Sequence, residues 1–514
     1  MREEIRESPT ESSAVERADV NEVRRLRAAR LDANRPEAVE KRHRTGHWTA
    51  RENIDAFVDP GSFLEYGALA KPLVKGMSGP ADGTIIGTAR VNGQSCAVLA
   101  YDYTVHAGTG GHIGYLKHER IFQLARKMRL PVICWLEGGG HRPHDLKVGM
   151  GLDLPCFYTF AELSGWVPLV GIVAGRCFAG NTNLAGMCDV IIATPKSTIG
   201  MAGPAMIEPG LGRKVAPEEI GPLSVQVPNG VVDLVAEDDG QAIALAKQYV
   251  SYFDGQITPG KAPDASCLPT LVPESPRQAY DVRRVIEHIG DVDSILELRP
   301  KFGKAMVTAL MRIEGYPVGV VANNPMVLSG AIDSSASDKA SRFIQLCDAF
   351  DIPILFLCDT PGLMVGPEAE ETAIVRHSSR LLVNLASTTV PKLTVILRKF
   401  YGMGGFLMGS KLIKPHLIVG WPTAEWGVMG PEGAVNIMFK DELNAVPDAE
   451  SRQRLRFELI KDLNSRYSGI EVAGKFEIDD IIDPVDTRHY LAQTLASLPK
   501  PPARTTRKRM IDPW

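Results

Sequence analysis

The chain has 514 residues, 44% of them hydrophobic and 23% charged, with a formal net charge of −4 at pH 7. That balance suits a globular enzyme with several cores and excludes a global basic field for nucleic acid. No apolar run approaches the roughly 20 residues of a membrane helix. The N-terminus mixes arginines with Glu3, Glu4 and Glu7 and lacks the apolar core of a signal or transit peptide, so a cytoplasmic location is expected. The eight cysteines form no CxxC pair and lie mostly in apolar runs, which reads as reduced, buried thiols rather than a disulfide frame or a zinc site.

In chain order, residues 1–45 are charged and Ala/Arg-rich and read as a helical surface extension. The next unit, 46–262, opens with a strand pair over Gly87–Ala100, turned at Asn92-Gly93, a strong two-residue hairpin signal. Ile121, Leu124, Ala125 and Met128 follow the i, i+3, i+4, i+7 spacing of a one-sided buried helix. The wholly apolar strand Pro131–Leu136 implies a parallel strand covered on both faces. A glycine loop, Glu137-Gly-Gly-Gly-His-Arg142, follows it, and a second buried strand ends at Gly175. A Pro/Gly-rich linker occupies 263–276, within a polar stretch that begins at Asp254. The last unit, 277–514, repeats the plan: strands over Ala309–Val321, a helix with Phe343, Leu346, Cys347 and Phe350 inward, the strand Pro353–Cys358, the loop Asp359-Thr-Pro-Gly362, and a strand ending at Arg398.

The repetition is in register. Arg120-Ile-Phe-Gln-Leu124 recurs as Arg342-Phe-Ile-Gln-Leu346, an offset of 342 − 120 = 222 that also maps Gly93 onto Gly315, Gly108 onto Gly330 and Pro131 onto Pro353. Val167-Pro168 recurs as Val390-Pro391 at 223, and Pro204 meets Pro431 at 227. Two copies with small loop insertions give such a slowly growing offset. The expected architecture is therefore α/β, with two tandem strand–strand–helix domains and ligand loops at the strand ends.

The strongest chemical signal is a pair of strand-to-helix turns at equivalent places, Gly175-Arg-Cys-Phe-Ala-Gly-Asn-Thr-Asn183 and Arg398-Lys-Phe-Tyr-Gly-Met-Gly-Gly-Phe-Leu-Met408. Small residues admit a ligand to the backbone, and unpaired N–H groups there suit a developing oxyanion; tight helix–sheet packing is the alternative reason for the same glycines. There is no G-x-x-x-x-G-K-[ST] loop and no G-x-S-x-G elbow. His141 with His144, and His112 with His118, lack a matching ligand set, so no metal is expected. Glu137 and Asp359 end equivalent strands and are candidates either for acid/base work or for local pairing.

At these residues a family resemblance becomes specific. Thr49-Ala-Arg-Glu-Asn-Ile54, Tyr103-Thr-Val105, Ile332-Asp-Ser-Ser335, Asp359-Thr-Pro-Gly362, Ile374-Val-Arg-His377, Arg398-Lys-Phe-Tyr-Gly402 and Trp421-Pro-Thr-Ala-Glu425 resemble the carboxyltransferase (β) subunits of biotin-dependent acyl-CoA carboxylases, the propionyl-, acetyl- and methylcrotonyl-CoA type. The units resemble the crotonase-type ββα spiral, and the match spans about residues 40–490.

The resemblance implies a carboxyl group passed from carboxybiotin to the α-carbon of an acyl-CoA through an enolate. The acyl-side oxyanion hole falls on Ala179 and Gly180. The biotin-side hole falls on Met403 and Gly404, or one residue on at Gly404-Gly405. Gly139, Gly140 and Arg142 correspond to the family's acyl loop, and Phe406 to its substrate-tuning position. Biotin N1′ is the expected base. With no Met-Lys-Met site in the chain, biotin arrives on a biotin carboxylase/carboxyl-carrier (α) partner, and a hexamer built as a trimer of dimers is usual in the family. Ala179 and Met403 are bulkier than the family's residues. Two other readings therefore stand beside the carboxylase: a carboxyl-CoA decarboxylase or transcarboxylase subunit, and a weakened structural paralogue.

Overall fold

The computed structural model describes residues 17–148 and 154–514, so Glu3, Glu4 and Glu7 lie outside the described residues. The first half builds a seven-stranded sheet in the order β1 (Leu64–Tyr66), β2 (Thr84–Val91), β3 (Gln94–Tyr101), β4 (Val132–Trp135), β5 (Leu169–Val173), β7 (Val190–Ala193) and β9 (Leu234–Val235). A two-stranded annex pairs β6 (Arg176–Phe178) with β8 (Thr198–Gly200). The second half has β10 (Leu296–Leu298), β11 (Met306–Ile313), β12 (Tyr316–Asn323), β13 (Ile354–Thr360), β14 (Lys392–Tyr401), β15 (Leu417–Gly420) and β17 (Asp480–Ile481) in the same order, with β16 (Glu425–Gly427) on β14. The strands from β3 to β9, and from β12 to β17, pair in parallel.

The repeat register is kept to the residue. β2 begins at Thr84 and β11 at Met306, an offset of 306 − 84 = 222; β7 and β15 are offset by 417 − 190 = 227. Both hairpin turns carry two positive φ values, Asn92 and Gly93 at 49° and 81°, Glu314 and Gly315 at 49° and 78°. Each turn is held by one aspartate: Asp59 accepts from Asn92 and Gly93, and Asp291 from Glu314 and Gly315. The halves differ at the second buried strand. In the first, Gly175 breaks it at φ 150°, giving β5 and β6; in the second, β14 runs unbroken to Tyr401, three residues past the expected end.

Alternation along the central strands decides where the cores lie. Cys96, Val98 and Ala100 of β3, Ile133 and Trp135 of β4, and Val170 and Ile172 of β5 share one cluster with Val321, Ile354, Phe356, Cys358 and Ile396 of the second half. The opposite faces, such as Leu99, Cys134 and Leu169, or Val320, Leu355 and Leu393, fill a separate outer core in each half. The two sheets thus bury their inner faces against one shared core.

The repeated helices end in different places. His112–Met128 is one-sided, with Tyr115, Ile121, Phe122 and Ala125 in the outer core. Ser334–Ala349 lies in the shared core, and every residue from Ala336 to Ala349 is buried. Its spacing predicts a polar outer face. The structure covers that face and pairs it. Arg342 donates to the carbonyls of Cys188 and Asp189 in the first half, at 3.1 and 2.8 Å, and to Pro513. Asp338 takes Arg380 and Trp514, and Gln345 accepts from Asp512 N. Buried charge is tolerated only where such partners meet it.

Two connecting segments are also more anchored than their composition suggests. In the 263–276 stretch, Leu268 and Val272 enter the second half's outer core, and the carbonyls of Pro273 and Ser275 accept from Arg398. In the N-terminal extension, helices cover Ala18–Ala28 and Pro36–His43, but Arg42 turns inward, is buried, and reaches Glu137 at 2.6 Å.

Candidate active site

The first-half glycine loop, expected on the acyl side, leaves the end of β4. Gly138 (φ 113°) donates to Arg176 O at 2.6 Å and accepts from Phe178 N at 2.9 Å, which zips the loop to β6. Gly140 (φ 83°) then comes against the next turn: a Cβ on it would lie 2.6 Å from Ala179 Cβ and 3.2 Å from Gly180 N. No side chain fits there, so the loop backbone packs directly against the turn beside the Gly180 amide. A Cβ on Gly139 would meet only Thr109 Cγ2, at 3.5 Å, and Gly139 is exposed.

Ala179 and Gly180 play different parts. Ala179 holds φ 54° and ψ −129°, and its N–H donates to Gly200 O at 3.2 Å. Gly180 starts the helix Gly180–Gly186, where the first amides have no intrahelical partner. The Gly180 N–H has no hydrogen bond among those described. Phe157 walls it: a Cβ on Gly180 would lie 3.0 Å from the ring. Tyr115 follows at 6.1 Å between ring centroids, with His141 stacked on Tyr115 at 5.6 Å.

Arg142 sits under the loop rather than at its rim. It is buried, and its guanidinium bonds Asp82 at 2.8 Å and Asp145 at 3.0 Å. Asp82 and Asp145 also accept from the amides of Gly114 and His112, so this triad fixes the helix His112–Met128 to the loop.

The second half builds the same turn from other residues. Gly362 (φ 131°) closes the loop after β13, and Gly402 (φ 52°) matches Ala179 at an offset of 402 − 179 = 223. At that offset Gly180 corresponds to Met403, and Asn181 to Gly404. Gly404 and Gly405 face inward: a Cβ on Gly404 would lie 2.6 Å from Gly362 Cα, and one on Gly405 2.6 Å from the Phe400 ring. Met403 and Phe406 are exposed on the outer side. Tyr401, just before the turn, donates its hydroxyl to Glu425.

Glu137 and Asp359 are both buried and ion-paired. Glu137 takes Arg42, and burial still pushes its carboxyl above the usual range. Asp359 takes Arg398 at 3.1 Å and Lys399 at 3.3 Å. Sequence reasoning passed over several buried polar residues of the two halves. Lys117 and Lys339 lie in the repeat register (339 − 117 = 222), and both are buried. Lys117 caps the carbonyls of Gly67, Ala81 and Thr84, and Lys339 caps Met306 O. The repeat alignment itself was the signal. Asn181 and Asn323, the latter a polar residue at the end of an apolar strand, were missed as well.

The carboxyl transferase domain family matches residues 41–511. The chain belongs to the carboxyl transferase domain family. It is 35% identical to the methylmalonyl-CoA carboxyltransferase 12S subunit of Propionibacterium freudenreichii subsp. shermanii, over 89% of this chain and 90% of the relative. It is 32% identical to a biotin-dependent long chain acyl-coenzyme A carboxylase beta4 subunit of Mycobacterium tuberculosis, over 89% and 90%. The solved transcarboxylase 12S structure, a hexamer with methylmalonyl-coenzyme A and methylmalonic acid bound, superposes with a TM-score of 0.84 at 32% identity, covering 98% and 99%. A single-chain, multi-domain long-chain acyl-CoA carboxylase superposes at 0.87 and 48% identity; the carboxyltransferase covers 93% of itself and 49% of that longer chain. With its tandem crotonase-like α/β halves, the chain is an acyl-CoA carboxyltransferase of the biotin-dependent group. Among the described residues no helix is long and apolar enough to cross a membrane.

Proposed function

We propose that this carboxyltransferase moves a carboxyl group between a biotin carrier on another chain and the α-carbon of an acyl-CoA, with Gly180 and Met403 as the principal backbone donors. One observation carries the reading. Both halves place a left-handed residue, Ala179 or Gly402, just before an amide at the same repeat position. In the first half a bare glycine, Gly140, faces that amide. Carboxybiotin supplies the carboxyl group and, once relieved of it, a basic ureido nitrogen. The Gly180 N–H holds the thioester oxygen as it gains charge during α-proton loss, and the Met403 N–H holds the ureido oxygen. A donor aimed at developing charge stabilises the transition state more than the ground state. Glu137 and Asp359, occupied by Arg42 and Arg398, hold their strand ends instead of moving protons. Arg142 acts through Asp82 and Asp145 to fix the loop. Gly139 leaves the loop backbone exposed, Gly140, Gly404 and Gly405 let the loops and helix starts pack close around each donor, and Phe406 lines the substrate side.

Two helices in the repeat register, Pro204–Leu211 and Pro431–Met438, expose Met206 and Leu211, and Ile437 and Met438, and follow the annex strands that pair beside each turn. Exposed apolar residues beside both turns support packing of one copy's first half on another's second half, in a hexamer like that of the 12S relative. The same reading takes 46–262 as the acyl-CoA domain, 277–514 as the biotin domain, an α subunit as carrier, and the cytoplasm as location. Incubating the chain with carboxylated biotin carrier and acyl-CoAs of two to sixteen carbons tests it. Carboxyl transfer to at least one is expected; no transfer to or from any acyl-CoA overturns it.

A further inference from the structure

We infer that Asn181 is a positioning residue for the acyl half, clamping the loop that carries Gly140 to the helix that carries Gly180. This rests on the reading of Gly180 as the acyl-side donor. Asn181 is fully buried beside Gly180, and its Nδ2 donates to Glu137 O at 2.6 Å and to Gly108 O at 3.3 Å. Glu137 O is the carbonyl just before Gly138-Gly139-Gly140, two residues past the end of β4. Three segments therefore meet on one side-chain amide: the Gly108 turn, the acyl loop and the helix. The backbones are already at contact, since a Cβ on Gly108 would lie 2.7 Å from Glu137 O and one on Gly138 2.1 Å from Gly108 O. Hydrogen bonds from a rigid helix fix the remaining freedom, the sliding of the loop past the Gly180 amide.

The second half shows that this is a choice and not a fold requirement. There the Gly330 carbonyl, equivalent to that of Gly108, also accepts from an asparagine, but it is Asn323 at the end of β12, at 3.2 Å. Asn323 Oδ1 takes Asp359 N at 3.1 Å. The position equivalent to Asn181 is Gly404, packed bare on Gly362. The position equivalent to Asn323 is Tyr101 (323 − 101 = 222), whose hydroxyl is buried without a partner. The same convergence is thus pinned from the strand in the biotin half and from the donor helix in the acyl half. Among the described residues, a side chain of the donor helix hydrogen-bonds the loop's first carbonyl in the acyl half, where the biotin half has only the Gly404–Gly362 packing contact. A small displacement of such a donor costs rate more than binding.

Two variants and two readouts test this. Asn181→Ala is expected to lower kcat about 10- to 100-fold while the acyl-CoA KM stays within about threefold. Amide exchange of the 137–142 peptide should accelerate at least about tenfold, with the 359–363 peptide of the second half unchanged. Asn181→Asp keeps the shape but donates only when protonated, so its kcat should climb as pH falls where the unsubstituted enzyme's does not. Unchanged exchange at 137–142 overturns the clamp whatever the chain carboxylates. Where transfer is measurable, a loss confined to KM, or an Asn181→Asp pH profile parallel to the original, overturns the positioning role. If Asn181→Ala does not fold, the pH response and exchange of Asn181→Asp decide alone. Absence of transfer by the unsubstituted chain sinks the functional reading separately and leaves the exchange result to stand.

Discussion

Replacing Gly140 with alanine puts one carbon where the acyl-side reading needs empty space. The new Cβ would lie 2.6 Å from Ala179 Cβ and 3.2 Å from Gly180 N. Two costs arise. The backbone at φ 83° is left-handed, worth about 1–2 kcal/mol against any side chain. The carbon–carbon approach is far inside contact, and overpacking of that kind costs about 1–3 kcal/mol. Stability should therefore fall by about 2–5 kcal/mol, and the loop should shift away from the helix. An oxyanion must sit about 2.7–3.1 Å from its donor, so the methyl competes for that place; losing one such donor lowers kcat about 10²–10³-fold. The assay is steady-state carboxyl transfer beside a thermal melt. Gly186→Ala, at the far end of the same helix with nothing within 4 Å of its new Cβ, is the control: transfer should stay within error and stability should hold or rise by up to about 1 kcal/mol. If Gly140→Ala transfers within twofold of the unsubstituted enzyme, the Gly180 amide is not the donor and the space beside Gly140 serves only packing.

Lys339 gives a pH prediction. Burial pushes its ammonium down to about 7, against about 10.5 unfolded. Between those values the unfolded chain binds the extra proton, so this group's contribution makes stability rise with pH, and its destabilising effect is complete below about 7. Lys339→Met should flatten the denaturant-midpoint curve between pH 7 and 10.5 by an amount on the order of 5 kcal/mol; parallel curves for the two proteins would show that the lysine stays charged. Arg398→Met should destabilise the chain by about 3–5 kcal/mol in chemical unfolding, because Asp359 is left buried without its guanidinium. Adding Asp359→Asn should recover part of that loss, and no recovery would mean that Arg398 acts through the Pro273 and Ser275 carbonyls instead. Phe406→Ala should raise kcat/KM for long acyl-CoAs over short ones by about tenfold or more, since a single methylene in an apolar pocket is worth about 10-fold at the low end; an unchanged ratio would place Phe406 outside the substrate path.

The sites were legible to different depths. The two turns were visible because their chemistry is backbone chemistry, and small residues after an apolar strand announce it. The roles within each turn were not, because they depend on which amide is already bonded. Ala179 and Gly180 look alike in sequence, yet Ala179 N–H reaches Gly200 O while Gly180 N–H has no partner among the described residues. Arg142, expected from the sequence to bind substrate, is buried and ion-paired beneath the loop. A lone arginine in a glycine loop carries no sign of Asp82, sixty residues earlier, or of Asp145 beneath it.

The sequence by itself determined the doubling, the strand and helix order and the turn positions, since periodicity and spacing are local properties kept at an offset of 222 through each hairpin and into the helix and strand that follow. It also determined that the central strands are covered on both faces, since they are apolar throughout. Only the tertiary structure decided what covers them. The inner faces of both sheets share one core, and the helix Ser334–Ala349, amphipathic by pattern, lies wholly inside it because Arg342, Asp338 and Gln345 find partners from the first half and from the C-terminal residues. A polar side chain states only that it needs a partner. Whether water or another part of the chain supplies it is a matter of long-range contact, and no periodicity records that.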